Sequence, residues 1–287
     1  MDFSARLSGF SKALYSNWLL YKPDALLVDC GEGCATALGN GVYAVERILL
    51  THGHIDHTGG LASFIWARHA ARGDAEKPLE IYYPEGDPYV ADLRGWLESV
   101  TGRIKFPLTW TPLRTGETIE LSASERHART VETFATNHMD SPTLGYKIVE
   151  TRRRLKPEFA ALEQAELQER ARNGGNENFS ENYHATLIAF GGDGLAIAPE
   201  PIWHAEILVH EATILDAADR KSQKHATLEE AMRAAQNAEV QTLIINHVSG
   251  RYSRDEVVNA TRECATRLAF EGKLWLLLKH RWIEVER

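Results

Sequence analysis

The segment Thr51-His52-Gly53-His54-Ile55-Asp56-His57 places four side chains able to bind a metal within six positions. In an extended segment residues two apart point the same way, so His52 and His54 can grip one ion together. Asp56 and His57 follow where Thr58-Gly59-Gly60 turns the chain towards a helix, and they can face a second ion beside the first. Imidazole and carboxylate suit zinc, and these positions cannot saturate two ions, so further ligands are required downstream. Three candidates follow apolar runs: His138 in Asn137-His138-Met139-Asp140-Ser141, Asp193 in Gly191-Gly192-Asp193-Gly194, and His247 in Asn246-His247-Val248-Ser249. Each alone reads as an ordinary loop residue, but strand ends are where a layered α/β architecture builds a site. A carboxylate such as Asp193 can bridge two ions; a neutral imidazole cannot. The competing reading, a scatter of surface histidines, is outweighed by four ligands packed directly after a strand.

The elements that must carry these residues alternate along the whole chain. Strands are expected at 25–29, 47–50, 79–83, 118–121, 131–134, 145–149, 186–190, 207–209, 243–245 and 274–278, from short β-branched and apolar runs. Amphipathic helices are expected at 60–71, 88–100, 228–237 and 254–271. Interleaved strands and helices, with both sheet faces needing cover, predict an α/β chain folded as a layered sandwich. One stretch interrupts the rhythm. From Thr151 to Arg172 the chain is charged and helix-favouring, and a Gly/Asn-rich passage (173–178) follows, so 151–178 reads as a protruding arm.

Composition narrows the function classes. A hydrophobic fraction of 44% and a charged fraction of 25% belong to an ordinary globular chain. No apolar run approaches the ~18 residues of a membrane span, and the N-terminus lacks a secretory signal, so no membrane partner is expected. Three cysteines without a CxxC pair argue against a disulfide framework and a thiolate zinc site, and point to the reducing cytoplasm. A net charge of −8 argues at first against nucleic acid. The run Arg152-Arg153-Arg154-Leu155-Lys156 is the one basic patch legible in the chain; although Glu158, Glu163, Glu166 and Glu169 follow it, its place in an inserted arm favours a nucleic-acid role over a solvated helix start.

Residues spread across the chain resemble short-form tRNase Z of the metallo-β-lactamase superfamily. They begin with Phe10-Ser11-Lys12-Ala13, Asp29-Cys30-Gly31-Glu32-Gly33 and the histidine motif. The match continues with His138-x-Asp140-Ser141 before Gly145-Tyr146, then His210-Glu211-Ala212-Thr213, His225-Ala226-Thr227, and His247-x-Ser249 before Arg251-Tyr252. The histidine motif alone marks only the superfamily; the His-Glu-Ala-Thr segment followed by His-Ala-Thr carries the narrower likeness. The resemblance implies a metallo-β-lactamase fold, a four-layer αββα sandwich over residues 1–287, with two zinc ions per chain. One would lie at His52, His54 and His138, the other at Asp56, His57 and His247, with Asp193 between. It further implies that His225 donates a proton to the leaving group, that Glu211 orients its ring, and that Asp56 helps orient the attacking water. The implied activity is a zinc-dependent endoribonuclease that removes the 3′ trailer of precursor tRNA and leaves a 3′-hydroxyl, in a cytoplasmic homodimer.

This sequence departs from the family pattern in three places. Gly194 stands where a hydroxyl residue is common, Ala226 replaces a serine, and the arm lacks a Gly-Pro motif, its Arg152, Arg153, Arg154 and Lys156 offering a basic alternative for docking tRNA. His210 reads as a structural residue ending a buried strand. Gly31-Glu32-Gly33 is too short for a dinucleotide loop and reads as a tight turn. Two other functions compete: a dinuclear zinc phosphodiesterase or thioesterase acting on small molecules, and a metal-bound RNA-binding module without catalysis. The His210–Thr213 and His225–Thr227 pair argues against a thioesterase, which has less need of a separate leaving-group acid. The full ligand set argues against a non-catalytic module.

Overall fold

The computed structural model describes residues 6–70, 77–102, 104–122, 128–139, 141–159, 162–163, 166–169 and 179–286. Asp140 and the Gly/Asn-rich passage 173–178 lie outside them. Strands β1 (Leu7–Lys12), β2 (Ser16–Tyr21), β3 (Leu26–Val28), β4 (Arg47–Leu49), β5 (Leu79–Pro84) and β6 (Leu108–Leu113) form one sheet in chain order. The second sheet runs β14 (Arg281–Glu284), β13 (Lys273–Leu278), β12 (Thr242–Asn246), β11 (Ile207–Glu211), β10 (Ser180–Phe190), β9 (Leu144–Leu155), β8 (Arg129–Ala135) and β7 (Thr118–Ser122). Helices α1 (Cys34–Leu38), α2 (Ile55–Thr58), α3 (Leu61–Ala70) and α4 (Pro88–Thr101) belong to the first half, and α5 (Leu228–Asn237) and α6 (Arg254–Arg267) to the second.

Period-two alternation builds the layers. In β12, Leu243 and Ile245 turn outward to Leu228, Met232 and Val257 of α5 and α6, while Ile244 turns inward between the sheets. In β4, Ile48 packs under Phe64 and Ile65 of α3, and Leu49 faces the other sheet. Helices thus cover both outer faces, and the four-layer αββα sandwich expected from the sequence is the architecture observed. No helix among the described residues is long and apolar enough to cross a membrane.

The structure departs from the sequence expectation at several elements. Strands β1, β2, β6 and β14 were not expected; each carries polar or exposed positions that dilute its pattern. Helix α6 stops at Arg267 rather than continuing to Glu271, because Ala269 takes φ +48° and Phe270 folds back into the core. The largest correction concerns the arm. Thr151–Leu155 is strand, not the start of a helix, and pairs antiparallel with Ser180–His184. Cross-strand partners override helix propensity there: Arg154 Nε lies 2.8 Å from Glu181 Oε1, with its guanidinium over the Tyr183 ring.

Candidate metal centre and active site

The ligand-capable residues converge on one end of the two inner sheets. His52 and His54 extend from β4, His138 follows β8, Asp193 follows β10, and His247 follows β12 with φ +52°. Two groups form. The ring nitrogens offered by His52, His54 and His138 lie within 4.8 Å of one another, and so do the ligand atoms of Asp56, His57, Asp193 and His247. Within the second group Asp193 Oδ1 lies 3.4 Å from His57 Nε2 and Oδ2 3.2 Å from His247 Nε2, and Asp193 also comes within 4.8 Å of His138 of the first group. No cysteine belongs to either group; Cys30, Cys34 and Cys264 are buried free thiols.

Four of the five ligand imidazoles, those of His52, His57, His138 and His247, are held by the other nitrogen, which fixes the tautomer and leaves one lone pair facing the cluster. His57 Nδ1 lies 2.7 Å from Asp29 Oδ2. His52 Nδ1 lies 3.1 Å from Thr51 Oγ1, whose hydroxyl is bound to the same Asp29 carboxylate. His138 Nδ1–H donates to the Lys224 carbonyl at 3.0 Å. His247 Nδ1 lies 2.9 Å from Thr213 Oγ1, and Thr213 donates to Glu211 Oε2 at 2.5 Å. Two carboxylate–threonine–histidine chains result, Asp29–Thr51–His52 and Glu211–Thr213–His247, and each carboxylate also holds a second histidine directly. Asp87 completes the support. It caps α4 through the amides of Tyr89 and Val90, and its other oxygen accepts from Gly53 N–H at 2.7 Å and Ser141 Oγ at 3.0 Å.

The residues fit a pair of divalent cations. Asp29, Asp56, Asp193 and Glu211 are four buried carboxylates in one site. His52 Nε2, His57 Nε2 and Asp193 Oδ1 are buried and have no hydrogen-bond partner, a costly arrangement unless a cation takes up their lone pairs. The titration of the groups agrees. Burial, then the neighbouring His57, push His52 well below the ordinary imidazole range. Burial, then His138, lower His54. Burial opposes charge on His57, but Asp193 and Asp29 outweigh it and raise its pKa well above that range. Burial would raise Asp193, yet His247 and His57 hold it well below the usual carboxylate range. Positive charge is therefore favoured between Asp193 and the imidazoles.

His225 stands at the rim, 20% exposed, with its Nδ1 2.7 Å from Glu211 Oε1. Glu211 is saturated, since Oε1 also accepts from Gly194 N–H and Oε2 from Thr213 N–H, each at 2.9 Å. Gly194 explains one departure from the family pattern. Its φ is +153°, and a Cβ there would approach the Asn137 carbonyl oxygen to 2.6 Å. Burial lowers the proton affinity of His225, but the Glu211 hydrogen bond and charge, then Asp193, raise it on balance. His210 turns away from the site. Its Nδ1–H donates to the Glu211 carbonyl at 2.7 Å and its Nε2 accepts from Ile197 N–H, which is a structural role.

All seven expected ligands, with His225 and Glu211, come together. Arg152, Arg153, Arg154 and Lys156 do not; they lie along and just beyond the outer end of β9. Arg152 is engaged by Glu150 and Glu206, Arg153 reaches Ser180 Oγ at 2.5 Å, and Arg154 pairs with Glu181. Sequence reasoning missed Asp29, Asp87, Thr51 and Thr213 as supports. A buried aspartate closing an apolar strand was the available signal for Asp29.

Residues 6–154 match the family model described as Anti-Pycsar protein Apyc1. A ribonuclease Z of Bradyrhizobium sp. (strain ORS 278) is 30% identical over 285 aligned residues, spanning 85% of this chain and 87% of that protein. A ribonuclease Z of Natronomonas pharaonis is 28% identical over 260 residues, spanning 81% and 80%. Among solved structures, the Bacillus subtilis metallo-β-lactamase fold protein YhfI superposes with TM-score 0.67 at 16% identity, over 97% of this chain and 98% of its own. Human tRNase Z, short form, gives 0.62 at 18% identity, over 98% and 99%. At these identities the structures establish the shared fold.

Proposed function

The chain belongs to the ribonuclease Z family, and through residues 6–154 to the Anti-Pycsar protein Apyc1 family, and from that place we propose that it cuts precursor tRNA endonucleolytically to remove the 3′ trailer. The observation that carries the reading is His225 on Glu211, placed beside the cluster yet partly open to solvent. We assign His52, His54 and His138 to one zinc ion and Asp56, His57 and His247 to a second, with Asp193 serving both. Two zinc ions held there would supply an activated water and neutralise charge on the phosphoryl oxygens. The chain supplies the rest. Asp56 orients the water. His225, kept protonated by Glu211, gives its proton to the departing ribose oxygen, so the tRNA leaves with a 3′-hydroxyl. A thioester has less need of such a donor, because thiolate leaves readily. The reading extends to a cytoplasmic homodimer in which the arm at 151–178 contacts tRNA.

A second reading has its own support. The Apyc1 model ends at residue 154, so the match takes in His52–His57 and His138 but not Asp193, His225 or His247. A small-molecule phosphodiesterase would share that first half. Steady-state rates on a 3′-extended precursor tRNA and on bis(p-nitrophenyl) phosphate separate the two. The endonuclease reading expects kcat/KM to be higher for the precursor by orders of magnitude. A preference for the small ester would leave the second reading standing.

A further inference from the structure

We propose that a basic cavity beside the metal centre holds the phosphodiester backbone of the RNA strand, a contact additional to the arm; the proposal rests on the RNA-cleaving reading. The cavity measures about 480 Å³ and lies where β1 of one sheet bridges the end of β13 of the other, through Ser11 and Lys279. Lys12, Arg254, Lys279, His280 and Arg281 line it, and no lining residue is acidic. These residues arrive from the end of β1, the start of α6, the β13–β14 turn and the start of β14. The expectation that the arm holds the one basic patch is therefore corrected by the structure.

Among the described residues a single carboxylate meets the basic side chains of this cavity. No carboxylate among them pairs with Lys12, Lys279 or Arg281, and Arg254 meets only the exposed Asp255, at 3.1 Å. The arm differs, since Glu150 and Glu206 occupy Arg152, and Glu181 occupies Arg154. In a chain of net charge −8, unpaired cations gathered around a hollow repel one another and are stabilised by an anion. Their spread over several segments suits successive phosphates better than one small ion.

The cavity shares a wall with the metal centre. Ser11 Oγ accepts from His247 N–H at 2.7 Å, and Leu14 N–H donates to Asp56 Oδ2 at 2.9 Å. On that wall the Lys12 ammonium sits 4.7 Å from the ring centroid of Tyr15, a residue 57% exposed. An exposed aromatic beside a cationic groove is the pairing that tracks a single strand by stacking and charge. A strand with its scissile phosphate at the cluster thus runs over Leu14 and Tyr15 into the cavity.

The test uses the full-length, metal-loaded protein, with Lys279→Gln/Arg281→Gln and, separately, Arg281→Glu on the exposed start of β14. Binding of a 3′-extended precursor tRNA is followed by fluorescence anisotropy from low to high salt. Each lost contact should flatten the slope of log affinity against log salt by about 0.7–0.9. The affinity loss should therefore be several-fold at low salt and shrink as salt rises. An unaltered slope in both variants overturns the proposal. So does a parallel fall in bis(p-nitrophenyl) phosphate hydrolysis, which would report damage at the metal centre. Thermal stabilisation by inorganic phosphate that disappears in the variants, with RNA binding intact, assigns the cavity to a free anion and also overturns it. A wild type that binds the precursor without cutting it removes the endonuclease reading, while the slope still decides the cavity.

Discussion

At His225, burial disfavours the charged ring and the Glu211 carboxylate favours it, so the second effect must persist if the residue is to act as an acid. His225→Ala should leave metal content unchanged and slow cleavage of precursor tRNA by ~10²–10⁴-fold. The loss should shrink on an ester of p-nitrophenolate, which departs without a proton; an equal loss on both substrates would remove the acid role. Because an acid must be protonated, rate falls as pH rises through its pKa. Glu211→Gln removes the stabilising charge and should move that alkaline limb to lower pH, which a pH–rate profile reads directly. Thr213 makes a separate prediction. Thr213→Val deletes the hydroxyl between Glu211 and His247 and should weaken metal binding by ~10–100-fold, while Thr213→Ser restores it. Competition with a chelator measures this without activity. The His52–His57 motif was legible because its ligands are contiguous. Asp29 and Thr213 were not, since their roles depend on partners 28 and 34 residues away.

Element by element, legibility followed how completely a run is apolar and buried. Strands β11 and β12 are buried at every position and stood out, whereas β1 is half-exposed at every second residue and β6 has one buried position, and neither did. The arm misled because its composition favours helix, while the partner strand that overrides it lies beyond Phe179. The pairing gives a clean way to test the arm. Replacing 156–179 by a short Gly/Ser turn keeps Leu155 beside Ser180 and removes the tip. That segment carries Lys156, Arg170 and Arg172 against Glu158, Glu163, Glu166, Glu169 and Glu177, so its removal withdraws no net positive charge. Affinity for precursor tRNA should fall through lost contact, with little change in its salt slope and with hydrolysis of the small ester retained. Undiminished affinity would make the arm a spacer.

For the whole molecule, two sheets and two helical layers exist to bring residues from five separate strand ends to one point. That helices must cover the sheet could be read from pattern, because strands such as β11 and β12 are apolar on both faces. The basic cavity could not, because its cations are spread from Lys12 to Arg281 and meet only in three dimensions. The same convergence brings His225, held by Glu211, to the rim of the cluster. The most direct measurement is to incubate the zinc-loaded protein with a 3′-extended precursor tRNA labelled at its 5′ end and map both new ends. A single internal cut is predicted, giving a tRNA that ends in a 3′-hydroxyl and a trailer that begins with a 5′-phosphate. Trimming one nucleotide at a time, a 3′-phosphate on the tRNA, or an intact precursor under conditions where small phosphodiesters are hydrolysed would contradict the account.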